Sequence, residues 1–278
     1  MTTTHTTTNH PSADDSRVPT VVMIPCFSGA PWELDKFTPL AGWPLRTMAL
    51  PDAVDSVEAY ADFVTGQVAD LDDYVLVGDS FGAVVALAVA ARQPRGLRGL
   101  VVSGGFAANP VTSRIGRAKI GAARFLPGPL YRHLTLRLHA ASLASPFDAE
   151  GDYPLSQRDT ADLFRKHTPW RSYTARAKAA FSADYRNRLA AIAVPTLILT
   201  PEHDTLIGED AAGLLRRGIR DSIERVLGRT GHMFRFTHPV TYSQHIAQFL
   251  HSRVPAVTAT QGHDRGRIAT SKDCAARE

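Results

Sequence analysis

A buried-strand pattern that runs through Gly-x-Ser-x-Gly into a helix pattern limits what this chain can fold into more than any other stretch. Residues 75–77 are aliphatic, Gly78 and Gly82 flank the serine, and residues 83–91 contain neither glycine nor proline. In this context Ser80 lies on a sharp, strained turn that exposes its hydroxyl at the N-terminus of the helix. The glycines fit because side chains there would collide with neighbouring strands. The pattern predicts a nucleophilic Ser80; the alternative is a tight turn with an inert serine.

Strand-like and helix-like stretches alternate along most of the chain. Apolar runs predict strands, and apolar residues at helical spacing predict amphipathic helices. The alternation predicts an α/β fold, with a mostly parallel sheet that carries helices on both faces. Strands are predicted at residues 18–24, 46–50, 74–77, 97–103, 194–200 and 222–227, and helices at 56–71, 82–91, 207–219 and 241–254.

The pattern changes at both ends and in the middle of the chain. Residues 1–17 contain almost no apolar side chains and are expected to form a disordered tail. From residue 255 onward the sequence is polar and is expected to form a second loose tail. Prolines interrupt the helical stretches of residues 106–188, which we interpret as an inserted helical cap. The catalytic core is then formed by residues 18–105 and 189–254.

Composition restricts the class of protein. The 278 residues are 44% hydrophobic and 21% charged, which is typical of a globular chain with one sizeable core. No apolar run approaches the ~20 residues of a membrane span, and the N-terminus lacks a secretory signal pattern, so we expect a cytoplasmic protein. Cys26 and Cys274 match no metal or disulfide spacing, so we expect free thiols, no metal and no cofactor.

A serine hydroxyl is a poor nucleophile until a base takes its proton, and the base needs an orienting group. Among the eleven histidines, His232 directly follows the last predicted strand. Asp204 follows the preceding strand and is the favoured acid; Glu202 is the rival, and Asp204 could instead only cap the next helix. Because parallel strands end at one edge of a sheet, Ser80, Asp204 and His232 are expected to converge there. Alternation turns Asp79 away from the site, so it is given no catalytic role.

Three motifs of the sequence together indicate a protein family. The Gly-x-Ser-x-Gly motif around Ser80, the stretch 195–204 that ends in Asp204, and Gly231 with His232 follow one another in the order Ser, Asp, His. This arrangement resembles the α/β-hydrolase superfamily.

The resemblance covers residues 18–253. It implies the superfamily's eight-stranded fold, but the polar N-terminus leaves no room for the first antiparallel hairpin, so about six parallel strands are expected. It also implies an oxyanion hole made by two backbone N–H groups, those of Phe81 and Phe27 by position. Many members carry His-Gly in the first loop, where this chain has Pro-Cys, and Cys26 is therefore the alternative donor.

The type of nucleophile narrows the reaction that the resemblance implies. Dehalogenases and epoxide hydrolases of the superfamily use aspartate at this position, and Ser80 argues against them. Acyl-enzyme chemistry on a small-molecule ester or thioester is the expected activity. A lyase or a cofactor-free perhydrolase or haloperoxidase with the same triad, and a non-catalytic ligand-binding protein, are the alternatives. Cys26 as the nucleophile is disfavoured because no histidine is adjacent.

The predicted cap contains the substrate-recognition signals. An acyl pocket is expected to involve Cys26, Phe106, Phe125, Trp170 and Tyr173, although such residues also pack a cap against its core.

Basic residues are concentrated in this same segment. Residues 106–147 contain six basic side chains and no Asp or Glu, against a net charge of +4 for the whole chain. An acidic carrier protein, a carboxylate-bearing substrate or an anionic membrane surface would fit them, and a solvated helical face is the alternative. Nucleic-acid binding is not expected because no recognition motif accompanies the charge. The six are Arg114, Arg117, Lys119, Arg124, Arg132 and Arg137.

Overall fold

The computed structural model describes residues 16–109, 130, 134–208, 210–254 and 257–258. The chain divides into two units, one of them Val18–Pro255. In the other unit, strand β1 (Ser16–Arg17) pairs antiparallel with β8 (Val257–Thr258). The predicted tails thus contain one short strand each, because paired backbone groups can form a ladder whatever the side chains. The rest of both tails lies outside the described residues.

Six parallel strands form the sheet of the larger unit. Their order is β3-β2-β4-β5-β6-β7 and every neighbouring pair is parallel. This confirms the predicted fold class and the expected number of strands. The strands are β2 (Thr20–Ile24), β3 (Leu45–Thr47), β4 (Tyr74–Asp79), β5 (Leu97–Ser103), β6 (Thr196–Pro201) and β7 (Ser222–Leu227).

Helices cover both faces of the sheet. Successive residues of a strand point to opposite faces, and every residue of β4 is buried. Leu76 therefore packs in one apolar cluster, while Val75 and Val77 pack in another. Burial on both faces explains why inner strands such as β2 and β4 are largely apolar, whereas the edge strand β7 contains charged residues. The helices outside the predicted cap are α1 (Val57–Gln67), α2 (Phe81–Ala90), α6 (Asp210–Gly218), α7 (Phe234–Thr237) and α8 (Pro239–Arg253).

Element boundaries differ from the sequence predictions where side chains bond to the backbone. Helix α1 begins after Ser56, whose hydroxyl accepts a hydrogen bond from the N–H of Ala59 at 3.3 Å. Helix α6 was predicted from residue 207, but the N–H of Ile207 donates to the Asp204 carboxylate in a turn that precedes the helix. Side-chain bonds of this kind are invisible to a periodicity argument.

The segment between β5 and β6 is helical where it is described. Its helices are α3 (Leu136–Leu143), α4 (Gln157–His167) and α5 (Trp170–Ser182), with 3₁₀ turns at Pro146–Ala149 and Arg186–Ala191. The boundaries of a cap domain at residues 106 and 188 stay a prediction. No helix within the described ranges has both the length and the apolar character needed to cross a membrane.

Candidate active site

The turn after β4 holds Ser80 in a strained conformation. Its φ is +53°, in a region that non-glycine residues rarely adopt. Its N–H donates to the carbonyl oxygen of Ser103 at 2.8 Å, and its hydroxyl caps no backbone group of α2. A Cβ atom on Gly78 would collide with the carbonyl of Gly82, and one on Gly82 would collide with that of Pro25. The two glycines allow this close approach, and Ser80 Oγ is left free for another partner.

His232 connects the other two predicted site residues. Its Nε2 lies 2.9 Å from Ser80 Oγ, and its Nδ1 lies 2.7 Å from Oδ2 of Asp204. The side chains of His232 and Asp204 are 5% and 6% exposed. In the neutral tautomer that fits these distances, Nδ1–H donates to the carboxylate and Nε2 accepts the Ser80 hydroxyl proton. The structure thus brings together Ser80, Asp204 and His232, which come from the ends of three different strands.

The charges around Asp204 and His232 favour the ionised form of the Asp204 carboxylate. Burial opposes a charge on Asp204, but His232 and two backbone N–H groups outweigh it and hold the Asp204 pKa below its ordinary value. Burial likewise opposes a charge on His232, but the nearby carboxylates, Asp204 foremost, raise the His232 pKa above its ordinary value. The site is therefore set up to stabilise an imidazolium once His232 takes a proton.

Asp204 caps no helix, because α6 begins only at Asp210, but it does bond the turn that precedes α6. Its Oδ1 accepts hydrogen bonds from the N–H groups of Leu206 and Ile207, both at 2.9 Å, while Oδ2 faces His232. The carboxylate thus bonds the turn and contacts the histidine through different oxygens. Glu202, the rival acid, is exposed and its Oε2 accepts from the N–H of Arg229 at 2.8 Å.

Two backbone N–H groups are uncommitted near the serine. Phe81 is the first residue of α2, and Phe27 lies in the loop after β2. Within the described part of the chain, neither N–H donates to a backbone carbonyl. Cys26 is engaged differently: its carbonyl accepts from the N–H of Gly29 at 2.9 Å, and its Sγ lies 3.3 Å from Ser28 Oγ.

A cavity opens beside the serine. Apolar side chains from the loop after β2, from α3, α4 and α7, and from the loops after β6 and β7 form most of its wall. The described lining residues are Cys26, Phe27, Asp79, Ser80, His139, Leu143, Phe164, Leu206, His232, Met233 and Phe236.

The predicted pocket residues take different places. Cys26 lines the cavity, and the Tyr173 ring lies beside it, 5.1 Å from the ring of Phe27. Phe106 packs instead in the apolar cluster that covers one face of the sheet. Trp170, which is 38% exposed, is not among the described lining residues. Phe125 lies outside the described residues.

Sequence reasoning gave no role to His139, which lies in this cavity wall. Its ring stacks on Phe27 with centroids 5.3 Å apart, and its Nδ1 lies 3.1 Å from the Tyr173 hydroxyl. Burial, with a smaller effect from the nearby His232, lowers the pKa of His139 to about 4. It is therefore neutral at physiological pH. No local pattern marks it, since only the fold brings α3 over the loop after β2.

Asp79 borders the cavity but is already paired. Its carboxylate accepts a hydrogen bond from Nε of Arg235, and both side chains are buried. Asp79 therefore lies at the cavity wall and is not turned away from the site as alternation predicted, while its lack of a catalytic role stays a prediction. Across the described ranges, no three His, Cys, Asp or Glu side chains are grouped so that they could hold a metal ion.

Comparisons with known proteins agree with this fold. A curated relative, the pimeloyl-[acyl-carrier protein] methyl ester esterase of Neisseria meningitidis, is 28% identical over 222 residues, covering 73% of this chain and 81% of that protein. A 2-hydroxy-6-oxononadienedioate/2-hydroxy-6-oxononatrienedioate hydrolase of Paraburkholderia xenovorans is 27% identical, covering 65% of this chain and 63% of that protein.

A solved structure and a family model complete the comparison. The enol-lactonase from Burkholderia xenovorans has a TM-score of 0.70 to this chain at 18% identity, covering 85% of this chain and 92% of that one. Residues 21–244 match the model of the alpha/beta hydrolase family. The chain therefore belongs to the alpha/beta hydrolase family of enzymes.

Proposed function

We propose that this protein is a serine hydrolase that cleaves a carboxylic ester or thioester through an acyl-enzyme on Ser80. His232 is the general base and Asp204 the acid that orients it. The observation that carries the proposal is the continuous contact from Ser80 Oγ to His232 Nε2 (2.9 Å) and from His232 Nδ1 to Asp204 (2.7 Å).

In the first half-reaction, Ser80 Oγ attacks the substrate carbonyl carbon while its proton passes to Nε2 of His232. The carbonyl oxygen becomes an oxyanion, which accepts hydrogen bonds from the N–H groups of Phe27 and Phe81. One such donor contributes roughly 3 kcal/mol in well-studied enzymes. Nε2–H then protonates the leaving alcohol or thiol, and the acyl group stays on Ser80.

In the second half-reaction, water takes the place of the alcohol. His232 accepts a proton from the water as it attacks the acyl-enzyme, and Ser80 Oγ leaves with the proton that Nε2 returns. Asp204 keeps Nδ1–H in place throughout and stabilises each imidazolium. The apolar wall of the cavity, with Leu143 and Phe164, favours an uncharged acyl chain.

The basic segment, residues 106–147, supports a further proposal about the substrate. An acyl group delivered on an acidic carrier protein would meet positive charge at the predicted cap. One relative is named as an esterase of an acyl-carrier-protein substrate. Arg137, on α3, is an exposed member of the cluster; the other five lie outside the described residues. A cytoplasmic location stays a prediction from the sequence and fits such a partner.

A second enzymatic reaction uses the same triad. One relative is named for a 2-hydroxy-6-oxo-dienedioate, a class of ketone whose hydrolysis breaks a carbon–carbon bond. For this chain, carbon–carbon cleavage and peracid formation are the alternatives to ester hydrolysis. A panel that measures ester and thioester hydrolysis, cleavage of a 2-hydroxy-6-oxo-dienoate, and peracid formation with hydrogen peroxide separates them.

The deciding experiment combines covalent labelling with ester hydrolysis. A fluorophosphonate probe should label Ser80 in the wild type, and Ser80→Ala should abolish both labelling and hydrolysis of p-nitrophenyl butyrate. Ser142→Ala is the matched control, because Ser142 is exposed on α3 and its hydroxyl only donates to the carbonyl of His139. Hydrolysis that survives in Ser80→Ala would contradict the proposed nucleophile. An unlabelled wild type would favour a non-catalytic ligand-binding protein.

A further inference from the structure

Arg176, on α5, is the largest fully buried side chain among the described residues, with 1% of its surface exposed. A buried guanidinium destabilises a fold by several kcal/mol unless its N–H groups are satisfied. The nearest carboxylate oxygen belongs to Asp52, at 3.6 Å, on a side chain that is 65% exposed. A buried ion pair therefore does not explain why an arginine is kept here.

Backbone carbonyls take the place of a carboxylate at the two terminal nitrogens, while Nε has no hydrogen-bond partner among the described residues. Nη1 of Arg176 donates to Phe27 at 3.1 Å and to Ser28 at 2.9 Å. Nη2 donates to Leu50 at 3.2 Å and to Pro51 at 3.4 Å. The first two carbonyls belong to the loop after β2 and the other two to the stretch after β3, so one planar group holds both loops.

Gly29 provides the space that the guanidinium occupies. A Cβ atom at this position would lie 2.5 Å from Nη1 of Arg176. The φ of Gly29 is +74°, in the left-handed region that favours glycine. Position 29 and position 176 are thus matched to each other although they are far apart in the chain.

The geometry of the loop connects this contact to the N–H of Phe27. The carbonyl of Cys26 accepts from the N–H of Gly29 at 2.9 Å, which closes a turn. In a trans peptide the C=O of Cys26 and the N–H of Phe27 point in opposite directions. With the C=O directed into the turn, the N–H of Phe27 is directed out of it. Arg176 holds this turn through the next two carbonyls, those of Phe27 and Ser28.

We propose that Arg176 is a positioning residue for the oxyanion site, which fixes the N–H of Phe27 toward the oxygen of the attacked carbonyl. The inference rests on the proposed serine-hydrolase function. Arg176 contacts no reacting atom and acts through the loop. A lysine would keep the charge but not the planar fork that reaches two loops at once.

The test compares Arg176→Lys and Arg176→Met with wild type, on p-nitrophenyl butyrate and with rates expressed per fluorophosphonate-labelled site. Counting labelled sites restricts the measurement to folded enzyme, and Arg176→Lys keeps the buried charge if Arg176→Met folds poorly. Arg171→Met is the matched control: it removes an exposed arginine from the same helix. We expect kcat to fall about 10²-fold in Arg176→Met, as when one oxyanion donor is lost, with KM within about threefold.

Inhibition by a transition-state analogue is a second measurement, and a general loss of stability would not change it. A trifluoromethyl ketone forms a hemiketal oxyanion with the serine, so its inhibition constant should rise by the same factor as kcat falls. The matching methyl carbinol, which forms no oxyanion, should bind as in wild type.

The outcomes separate the two proposals. If the wild type neither hydrolyses the ester nor labels at Ser80, the proposed function fails, and this inference with it. If the wild type is active and the Arg176 variants keep wild-type kcat and ketone inhibition, the inference alone is wrong. Parallel weakening of ketone and carbinol binding would also overturn it, since Arg176 would then shape the pocket rather than the oxyanion site.

Discussion

Nε of Arg235 lies 2.6 Å from Oδ2 of Asp79, the residue that precedes Ser80, with the side chains 3% and 5% exposed. The guanidinium carbon lies 4.3 Å from the ring centre of Trp32 and 3.7 Å from that of Phe236. Arg235 belongs to α7, which begins two residues after His232. The ion pair therefore joins the end of the strand that precedes the serine to the segment that carries the histidine.

Breaking this pair from one side should destabilise the protein strongly. Arg235→Met leaves the Asp79 carboxylate buried without its cation, which should lower the free energy of unfolding by about 3–5 kcal/mol. The double variant Asp79→Leu/Arg235→Met removes both charges and should recover much of that loss. Urea unfolding of the single and double variants measures both effects.

A surface pair provides the control. Arg46 donates to the Asp70 carboxylate at 2.6 and 2.8 Å, but the pair is solvent-exposed. Arg46→Met should therefore change the free energy of unfolding by no more than about 1 kcal/mol. If Arg235→Met and Arg46→Met lowered the free energy of unfolding equally, burial of the Asp79–Arg235 pair would make no difference to stability.

The sequence predicts the three triad residues because each of them follows the end of a strand. β4 and β6 are largely apolar runs and the edge strand β7 mixes apolar with charged residues, but the positions just after all three could be located from local pattern. Parallel topology brings those positions to one edge of the sheet, which is why the sequence predicts that Ser80, Asp204 and His232 lie close together. The family resemblance supplied their order and the two N–H donors.

The contacts around the triad were not predictable in the same way. Arg176 and Gly29 are matched across 147 residues, and His139 faces Phe27 only because α3 crosses the loop after β2. Neither pairing leaves a periodic or spacing signal. Trp170 illustrates the opposite case, since an aromatic residue at a helix start looks like a pocket residue until its exposure is known.

The pH dependence of hydrolysis should report His232. Only neutral imidazole accepts the Ser80 proton, and the nearby carboxylates raise the pKa of His232 above its ordinary value of about 6.5. The kcat/KM for p-nitrophenyl butyrate should therefore rise with pH, with a midpoint above 6.5. A profile that stays flat from about pH 5 to 9 would exclude His232 as the base.

Replacing the orienting acid should weaken catalysis without loss of substrate binding. In Asp204→Asn the Nδ1–H of His232 loses its anionic acceptor, and kcat should fall about 10³–10⁴-fold, as for triad acids in other serine enzymes. The midpoint of the pH profile should also move down, because the main cause of the raised pKa is gone. Glu202→Gln is the control. If Glu202→Gln costs more activity than Asp204→Asn, the assignment of the acid is wrong.

Because of His139, the free energy of unfolding should fall in mild acid. Its pKa is lowered to about 4 in the folded chain, so between about pH 6.5 and 4 the unfolded chain binds the extra proton. Stability is unaffected above pH 6.5 and falls as the pH drops. Between pH 7.5 and 5 this one group should cost roughly 2 kcal/mol.

His139→Gln should therefore lose less stability than the wild type over that pH change. His251→Gln, which removes an exposed histidine from α8, controls for the loss of an imidazole as such. Urea unfolding of the wild type and the two variants at pH 7.5 and 5 gives the three differences in stability. An acid sensitivity of His139→Gln equal to that of the wild type would show that His139 is not the residue responsible.

Acyl-chain selectivity should depend on Phe164. Its buried ring lines the cavity beside Ser80, with its centre 4.7 Å from that of His139 and 6.4 Å from that of Phe27. Phe164→Leu shortens this wall at a modest cost in stability and should raise kcat/KM for p-nitrophenyl octanoate relative to butyrate about tenfold, equivalent to about 1.4 kcal/mol of extra chain burial. Phe164→Ala should do so further, but with a loss of roughly 3–5 kcal/mol in stability.

Trp170→Leu is the matched control, because it removes an even larger aromatic side chain, one from the predicted pocket set. Since Trp170 is 38% exposed and is not among the described lining residues of the cavity, its replacement should leave the octanoate-to-butyrate ratio unchanged. A chain-length series from acetate to octanoate, run with ester and thioester leaving groups, measures both variants. If Trp170→Leu shifted the ratio while Phe164→Leu did not, the acyl chain would lie toward the start of α5 and not against α4.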